Sequence, residues 1–325
     1  MRLAIFRFLV TCFLLLFVSF PNAQEQTYPA KPIRVINPFV AGGGLDALLR
    51  PLAVKMSESL KQSIIIDNRP GANGMIGTEM AAKAIADGYT ILGGTTGAIS
   101  LNAVVYPKLP FDPIKDFSPI SIFAAQPFLL AVHPSVPANT LAEFIALVKS
   151  RPNEITYGTF GIASSSHLAT ELFNMMAGTK MIHVPYKGSG QSLPALLSGE
   201  VNSSFDALQV MGGHIRAKRL RALGIGSAKR LLTAPDIPTI SEAGVPGFEA
   251  GSWYGLLAPA NTPRGIIEKL QAEVVKAVAT QEIQHVYSGG GTEPIGGTPE
   301  EFAAQIKSDM AKWGKVVKEA KVTAQ

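Results

Sequence analysis

Three consecutive glycines, Gly42 to Gly44, are the first residues of the sequence that could do chemistry. They follow an apolar segment that predicts a strand and precede a segment with helical spacing. Glycine lets a backbone approach a ligand closely, and the first N–H groups of a helix have no acceptor within it. The loop Phe39 to Asp46 is therefore a candidate site for a carboxylate or phosphate. An ordinary strand-to-helix turn would explain the same glycines.

A second loop of this kind, Thr156 to His167, concentrates glycines and hydroxyls between a predicted strand and a predicted helix. Neither loop contains a lysine or an arginine, so neutral donors and helix N-termini would have to hold an anion there. Two such loops, one from each half of the chain, can face each other across a cleft. For any single serine, capping of the helix is the simpler interpretation.

The sequence lacks the common motifs of nucleotide binding, serine hydrolysis and metal binding. The glycine loop matches neither the G-x-x-x-x-G-K-[ST] nor the G-x-G-x-x-G nucleotide motif. The chain has no G-x-S-x-G, and no two of its five histidines are spaced as H-x-x-x-H. We predict no catalytic residue, no metal and no cofactor. The alternative is an exported serine-dependent hydrolase that uses Ser164 and His167.

The start of the sequence has the layout of a secretory signal peptide. Arg2 and Arg7 precede an almost wholly apolar run, Phe8 to Phe20. A small residue, Ala23, then precedes a polar stretch. We predict cleavage after Ala23, so that residues 1–23 are removed and the protein is periplasmic. A membrane-spanning helix needs about 20 apolar residues, and this run is shorter. The only cysteine, Cys12, lies in the removed segment.

Charge and length narrow the class further. The chain carries 29 Lys and Arg against 24 Asp and Glu, and removing Arg2 and Arg7 leaves a net charge of 27 − 24 = +3. This mild excess suits a small anionic ligand and not nucleic acid, which needs a basic stripe. The densest basic run, His214 to Arg221, predicts the solvated face of a helix. About 300 mature residues predict two lobes, and we expect a monomer.

The elements around the two loops alternate between strands and helices. In the first part, strands at 33–38, 63–67 and 90–93 alternate with helices at 46–60 and 75–86, an order that predicts parallel strands with helices on the sheet. Thr140 and Glu143 predict a capping box at the start of a helix. In the rest of the chain we predict strands at 128–132, 156–158, 181–185, 201–205 and 222–225, and helices at 140–150, 167–176, 190–199, 263–279 and 299–318.

Several short motifs, each weak alone, occur together in one order. They are Pro38–Arg50, Asn68–Gly77, Asp87–Thr90, Tyr157–His167, Val184–Gly188, Gly199–Phe205, Pro235–Phe248 and Trp253–Pro263. In this order the chain resembles the Bug family, the substrate-binding proteins of tripartite tricarboxylate transporters. The resemblance covers essentially the whole mature chain.

The resemblance implies an α/β fold, the two-lobed type II periplasmic-binding-protein fold. Each lobe would be a mostly parallel sheet flanked by helices, and two crossover strands near residues 123–128 and 250–255 would form the hinge. Lobe one would be residues 27–125 plus 252–325, and lobe two residues 126–251. The implied ligand is a small carboxylate, such as an organic acid, an acidic amino acid or an aromatic acid. It would be delivered to membrane transporter subunits or to a sensor.

Two departures from the family pattern bear on the site. Ala163 stands where the family has glycine, which adds a methyl group and narrows the allowed backbone angles. Asn202 stands where the family has aspartate, which removes a negative charge from the expected cleft floor. For Arg50 and Lys187, the nearest cations, we expect a surface or structural role. The predicted ligand-binding residues are Phe39, Gly42, Gly43, Gly44, Asp46, Thr95, Thr159, Ser164, Asn202 and Asp206.

Overall fold

The structure, a computed structural model, describes residues 28–323. The predicted signal peptide, residues 1–23 with Cys12, lies outside the described residues. Residues 28–30 belong to no helix or strand, and from Lys31 onward the chain forms one compact unit. Within residues 28–323, no helix is both long enough and apolar enough to cross a membrane.

The first part of the chain builds a parallel sheet with helices against it. Strand β1 pairs in parallel with β2 and with β3, as the alternating pattern predicts. A short 3₁₀ turn precedes the second helix, and a π-helical turn precedes the third. The elements are β1 (Ile33–Asn37), α1 (Gly44–Leu60), β2 (Ile64–Asn68), α2 (Met75–Ala82), β3 (Thr90–Thr95) and α3 (Asn102–Val105).

The middle of the chain builds a second sheet. Here β5 pairs in parallel with both β6 and β7. The elements are β4 (Phe117–Val132), α4 (Leu141–Ser150), β5 (Thr156–Thr159), α5 (Ser165–Ala177), β6 (Ile182–Pro185), α6 (Ser189–Ser198), β7 (Ser203–Ala207), α7 (Leu208–Arg216) and β8 (Arg221–Ile225). The last part of the chain adds β9 (Gly251–Pro259), α8 (Arg264–Val278), α9 (Gln281–Gly289), β10 (Glu293–Pro294) and α10 (Pro299–Glu319).

Two long strands join the sheets. The first sheet runs in the order β2-β1-β3-β9-β4, and the second continues from β4 through β7 and β5 to β6. Strand β4 is 16 residues long and pairs antiparallel with β9 as far as Pro127, then with β7 from Phe128 onward. The result is the two-lobed periplasmic-binding fold, in which β4 and β9 supply the antiparallel pairs.

The last helix contacts both hydrophobic cores. Helix α10 begins with a capping box between Thr298 and Glu301. Phe302 then packs in the core of the first sheet, edge-on to Trp253 with ring centroids 4.9 Å apart. Near its other end, Trp313 belongs to the large apolar cluster of the second sheet. Helix α10 therefore braces the two halves in addition to the hinge strands.

Two local expectations need correction. The basic run 214–221 is not one helical face, because α7 ends at Arg216 and β8 begins at Arg221, with an exposed turn between them. Thr140 caps α4 as predicted, by accepting a hydrogen bond from the Glu143 N–H at 3.2 Å. The Glu143 carboxylate, however, accepts from the N–H of Asn139 at 2.6 Å, one residue before the expected partner.

Candidate functional site

A cavity of about 700 Å³ lies where the two sheets meet at the hinge strands. Both halves of the chain and both hinge strands contribute residues to its walls. A ligand in this cavity would therefore contact both lobes. The lining residues that matter below are Gly44, Gln126, Phe128, Phe160, Ser165, Ser189, Asp206, Gln209, Tyr254 and Tyr287.

Four helices begin at this cavity. The first turns of α1, α5, α6 and α7 line it through Gly44, Ser165, Ser189 and Gln209. No side chain caps the N-termini of α1, α6 or α7. The first N–H groups of a helix lack intrahelical acceptors and carry the positive end of its dipole. No lysine or arginine is found among the described residues that line the cavity, so backbone N–H groups are the donors there that carry partial positive charge.

The first loop is held together by Asp46, which is 2% exposed. Its carboxylate accepts two hydrogen bonds from Arg50, at 2.6 and 3.0 Å, and one each from Asn37, Asn68 and the N–H of Gly42. Burial alone would raise the pKa of Asp46, but these hydrogen bonds hold it well below its usual range. Asp46 therefore fixes the shape of the loop and has little capacity left for a ligand.

Only one of the three glycines faces the cavity. Gly42 has φ +77°, in the left-handed region that favours glycine. Gly43 has φ −74°, and a Cβ there would lie 3.2 Å from the Val40 carbonyl oxygen. A Cβ on Gly44 would lie 3.7 Å from the Tyr254 hydroxyl, across the cavity. Gly44 therefore contacts the ligand space, whereas Gly42 and Gly43 form the turn that leads to it.

The second loop is held by hydroxyl groups. Ser164 Oγ donates to the Gly161 carbonyl at 2.7 Å and accepts from the His167 N–H at 3.3 Å. Thr159 is fully buried, and its Oγ1 lies 2.7 Å from His183 Nε2. Ser164 and Thr159 thus position the loop, and the neighbouring Ser165 lines the cavity in their place.

Two histidines stack beneath this loop. The rings of His167 and His183 lie 3.8 Å apart, and His167 Nδ1 accepts a hydrogen bond from the Ala163 N–H at 3.0 Å. Burial, with a smaller contribution from His183, lowers the pKa of His167 to about 3, and burial lowers that of His183 to about 4. His167 makes no side-chain bond to Ser164 Oγ among the described contacts, so the hydrolase alternative lacks its base.

Asp206 is the one predicted side chain that lines the cavity. It is 4% exposed, its Oδ1 accepts from the Ala207 N–H at 2.7 Å, and its Oδ2 accepts a short hydrogen bond from the Ser189 hydroxyl. Burial raises its pKa to about 6 despite these two bonds. Burial, together with the charge of Asp206, raises the pKa of Tyr254 to about 12.

Comparison with known proteins identifies the family of the chain. The protein-family model described as "Tripartite tricarboxylate transporter family receptor" matches residues 48–322 of this chain. The chain belongs to this receptor family.

Relatives of this receptor family resemble the chain over nearly its full length. Protein BugT of Bordetella pertussis is 35% identical and covers 91% of both chains. A solved structure, Rpa4515 of R. palustris with adipate, is 37% identical, with a TM-score of 0.78 over 91% of this chain and 99% of that one. MatC from Rhodopseudomonas palustris with bound malate is 31% identical, with a TM-score of 0.74 over 89% of this chain and 100% of that one.

Three predicted site residues of this family member lie away from the cavity. Thr95 Oγ1 accepts from the Ala98 N–H at 3.1 Å, and Phe39 packs towards Gly74. Asn202, which we expected at the cleft floor, lies outside this cavity. Its Oδ1 accepts from the N–H and hydroxyl of Thr156 at 2.9 and 3.0 Å, just before the start of β7, whereas the cavity is at the other end. Four residues of extended chain separate Asn202 from Asp206, about 13 Å.

The receptor cavity also contains residues that the sequence did not indicate. Gln126 and Tyr254 come from the two hinge strands, and the Tyr254 hydroxyl donates to Gln126 Oε1 at 3.0 Å. The Tyr287 hydroxyl donates to the Leu48 carbonyl at 2.8 Å and ties α9 to α1. Only the antiparallel register of β4 and β9 brings Gln126 and Tyr254 together, so no local sequence signal could have found them.

Proposed function

We propose that this receptor-family chain is a solute-binding protein that captures a small carboxylate in the cavity between its lobes. One observation carries the proposal: four helix N-termini, three of them without a side-chain cap, line a single cavity. Such N-termini favour anions without a charged side chain. Adipate and malate, the ligands of the two solved relatives, are both carboxylates.

The energetics of such a site are sufficient without a cation. A hydrogen bond to a charged group contributes about 1.5–3 kcal/mol net. Four or five convergent donors therefore reach about −8 kcal/mol, which corresponds to micromolar affinity. The first-turn N–H groups of α1 and α5 are well placed to supply them, because Gly44 and Ser165 contact the cavity directly.

The sequence and the topology support a proposal for the setting of this activity. We propose that the protein works in the periplasm after removal of residues 1–23, as a monomer, and passes its ligand to the membrane subunits of a tripartite tricarboxylate-type transporter or to a sensor. We place the lobe boundaries near residues 125 and 252. The exchange of β9 for β7 along β4, between Pro127 and Phe128, supports this division.

No part of the cavity suggests turnover. Ser164 and His167 are both engaged in holding the second loop, and the lowered pKa of His167 makes it a poor base at neutral pH. We therefore propose binding without catalysis.

Thermal melting of the mature protein with a panel of acids tests the proposal. Malate, adipate, glutamate and benzoate would each be compared with the corresponding neutral amide. A ligand at a hundredfold excess over its Kd stabilises the folded state by about 2.7 kcal/mol. We expect at least one acid to raise the melting temperature and its amide to have no effect. Stabilisation by none of the acids, or hydrolysis of generic ester substrates, would contradict the proposed function.

A further inference from the structure

Asp206 is an unusual side chain for the wall of a carboxylate-binding cavity. It is 4% exposed, it lines the cavity, and it forms no salt bridge with any lysine, arginine or histidine in the described part of the chain. A buried charge is normally paired, because its removal from water is costly. No cationic side chain of residues 28–323 therefore supplies a counter-charge to Asp206, whose partners are Ser189 and the Ala207 N–H.

Asp46, in the first loop and outside the cavity, shows what a buried carboxylate with a full set of partners looks like in this molecule. It accepts five hydrogen bonds, two of them from a guanidinium. Asp206 accepts two, from the Ser189 hydroxyl and from the Ala207 N–H, both uncharged. An ionised carboxylate offers about four lone-pair sites, so about two remain on Asp206.

The other described residues that line the cavity include no lysine, arginine or histidine that could pair with Asp206. The hinge strands contribute Gln126, Ser252 and Tyr254 to the cavity, and the Tyr254 hydroxyl donates its hydrogen bond to Gln126 Oε1. All three side chains are uncharged at neutral pH. None of them can bring a positive charge to Asp206. A ligand that supplied one would restore the pairing, and burial, which now raises the pKa of Asp206, would then strengthen the contact.

We propose that the ligand carries a protonated amine as well as a carboxylate, and that Asp206 binds the amine. The carboxylate would lie at the N-termini of α1 and α5, where Gly44 and Ser165 line the cavity. This inference rests on the proposed function and narrows its ligand class to amino-carboxylates. Asp206 becomes the residue that distinguishes them from plain organic acids of the same length.

Calorimetric titration with matched pairs of acids tests this directly. The pairs are glutamate with glutarate, phenylalanine with 3-phenylpropanoate, and 6-aminohexanoate with hexanoate, all at pH 7.5. We expect the amino member of at least one pair to bind at least tenfold more tightly than its partner. Equal or tighter binding of the amine-free member in every pair would overturn the inference and leave the proposed function standing. If neither member of any pair binds, the proposed function fails, and this inference fails with it.

The variant Asp206→Asn assigns the effect to the residue. It should lose at least tenfold in affinity for the preferred amino acid and bind the amine-free partner at least as well as the wild type. Asp309→Asn is the control, because Asp309 is also buried, at 3% exposed, and bonds to Trp253 Nε1 outside the cavity. An unchanged preference in Asp206→Asn would overturn the assignment.

The pH dependence of binding by the wild-type protein tests the same inference without a variant. Protonation of Asp206, whose pKa burial raises to about 6, removes its charge, so the preference for the amino member should shrink between pH 8 and pH 5. The other titratable groups on the cavity wall are Tyr254 and Tyr287, and burial raises the pKa of both. The pKa values of His167 and His183, behind the second loop, lie at about 3 and 4. A preference that is constant or grows over this range would contradict the inference.

Discussion

The two loops that present helix N-termini to the cavity do the same task with different chemistry. The first loop is fixed by an ionic network, in which Asp46 accepts from Arg50 and from three neutral donors. The second loop is fixed by hydroxyls and by the neutral imidazole of His167, which accepts from the Ala163 N–H. The two halves therefore share the geometry of the loop. Only the first loop is held by charged side chains, Asp46 and Arg50, and neither of them lines the cavity.

The largest effect should follow from removing the charge in the first loop. Asp46→Asn puts an amide N–H₂ where the Gly42 N–H or the Arg50 guanidinium now donates, and leaves a donor unpaired. Breaking a buried ion pair costs about 3–5 kcal/mol, and because the Arg50 side chain is half-exposed we expect a loss of about 2–3 kcal/mol in unfolding free energy. Urea unfolding measures it, and carboxylate affinity should fall as well.

The matched control is Glu79→Gln, which removes an exposed ion pair with Lys83 on the same half of the molecule. We expect a change of less than about 0.5 kcal/mol there. Equal effects of the two substitutions would mean that Asp46 does not organise the loop.

The next effect concerns pH and the second loop. The lowered pKa of His167 means that its contribution to stability is complete above its unfolded pKa of 6.5 and is lost as the pH falls towards about 3. Between pH 7.5 and pH 5 this loss amounts to about 2 kcal/mol. The pKa of Asp206 is raised, so the titration of Asp206 changes stability in the opposite sense as the pH falls. The comparison therefore uses proteins that all retain Asp206.

We expect His167→Gln to lose about 2 kcal/mol less than the wild type when unfolding free energies are measured at pH 7.5 and pH 5. His285→Gln, an exposed position on α9, is the control and should keep the wild-type pH dependence. A pH dependence unaltered by His167→Gln would show that the imidazole does not hold the loop in its neutral form.

The smallest effect comes from the backbone of the second loop. Ala163 has φ +59°, a left-handed conformation that costs an alanine about 1–2 kcal/mol. Ala163→Gly relieves this cost but gains unfolded-state entropy of about 0.4–1 kcal/mol, so we expect a net stabilisation of about 0.5 kcal/mol by urea unfolding. The same change at Ala169, buried inside α5, should instead destabilise by about 1 kcal/mol or more. Destabilisation at both positions would show that Ala163 is not strained.

Sequence patterns predicted most of the regular elements because local periodicity determines them. Helix α1 and strand β1 were placed to within two residues, and α1 begins at Gly44, two residues before the predicted start at Asp46. The first eleven residues of β4, 117–127, were not predicted from periodicity, because they do not alternate and their partner β9 lies more than 120 residues away. Only the family resemblance indicated a crossover strand, near residues 123–128. The hinge residues of the cavity were missed for the same reason.

Other predicted site residues lie outside the cavity for a different reason. Thr159 and Ser164 belong to the loop whose Ser165 lines the cavity, but their own hydroxyls bond within the loop and to His183. Which residue of a helix start faces a cavity depends on the rotation of the helix, which spacing alone does not fix. Asn202 lies outside the cavity because the sequence of a strand does not tell which of its ends meets a cavity.

The central claim is that neutral helix N-termini at the cavity bind the carboxylate, and Gly44→Val tests it most directly. A side chain at Gly44 projects towards Tyr254 from the first turn of α1, where φ is not in the glycine-only region. Gly265→Val is the control, because Gly265 lies in the first turn of α8 with open space around its Cβ position. Calorimetric titration with the best-binding acid should show at least a tenfold loss of affinity in Gly44→Val and no change in Gly265→Val. Unchanged affinity in a folded Gly44→Val protein would contradict the account.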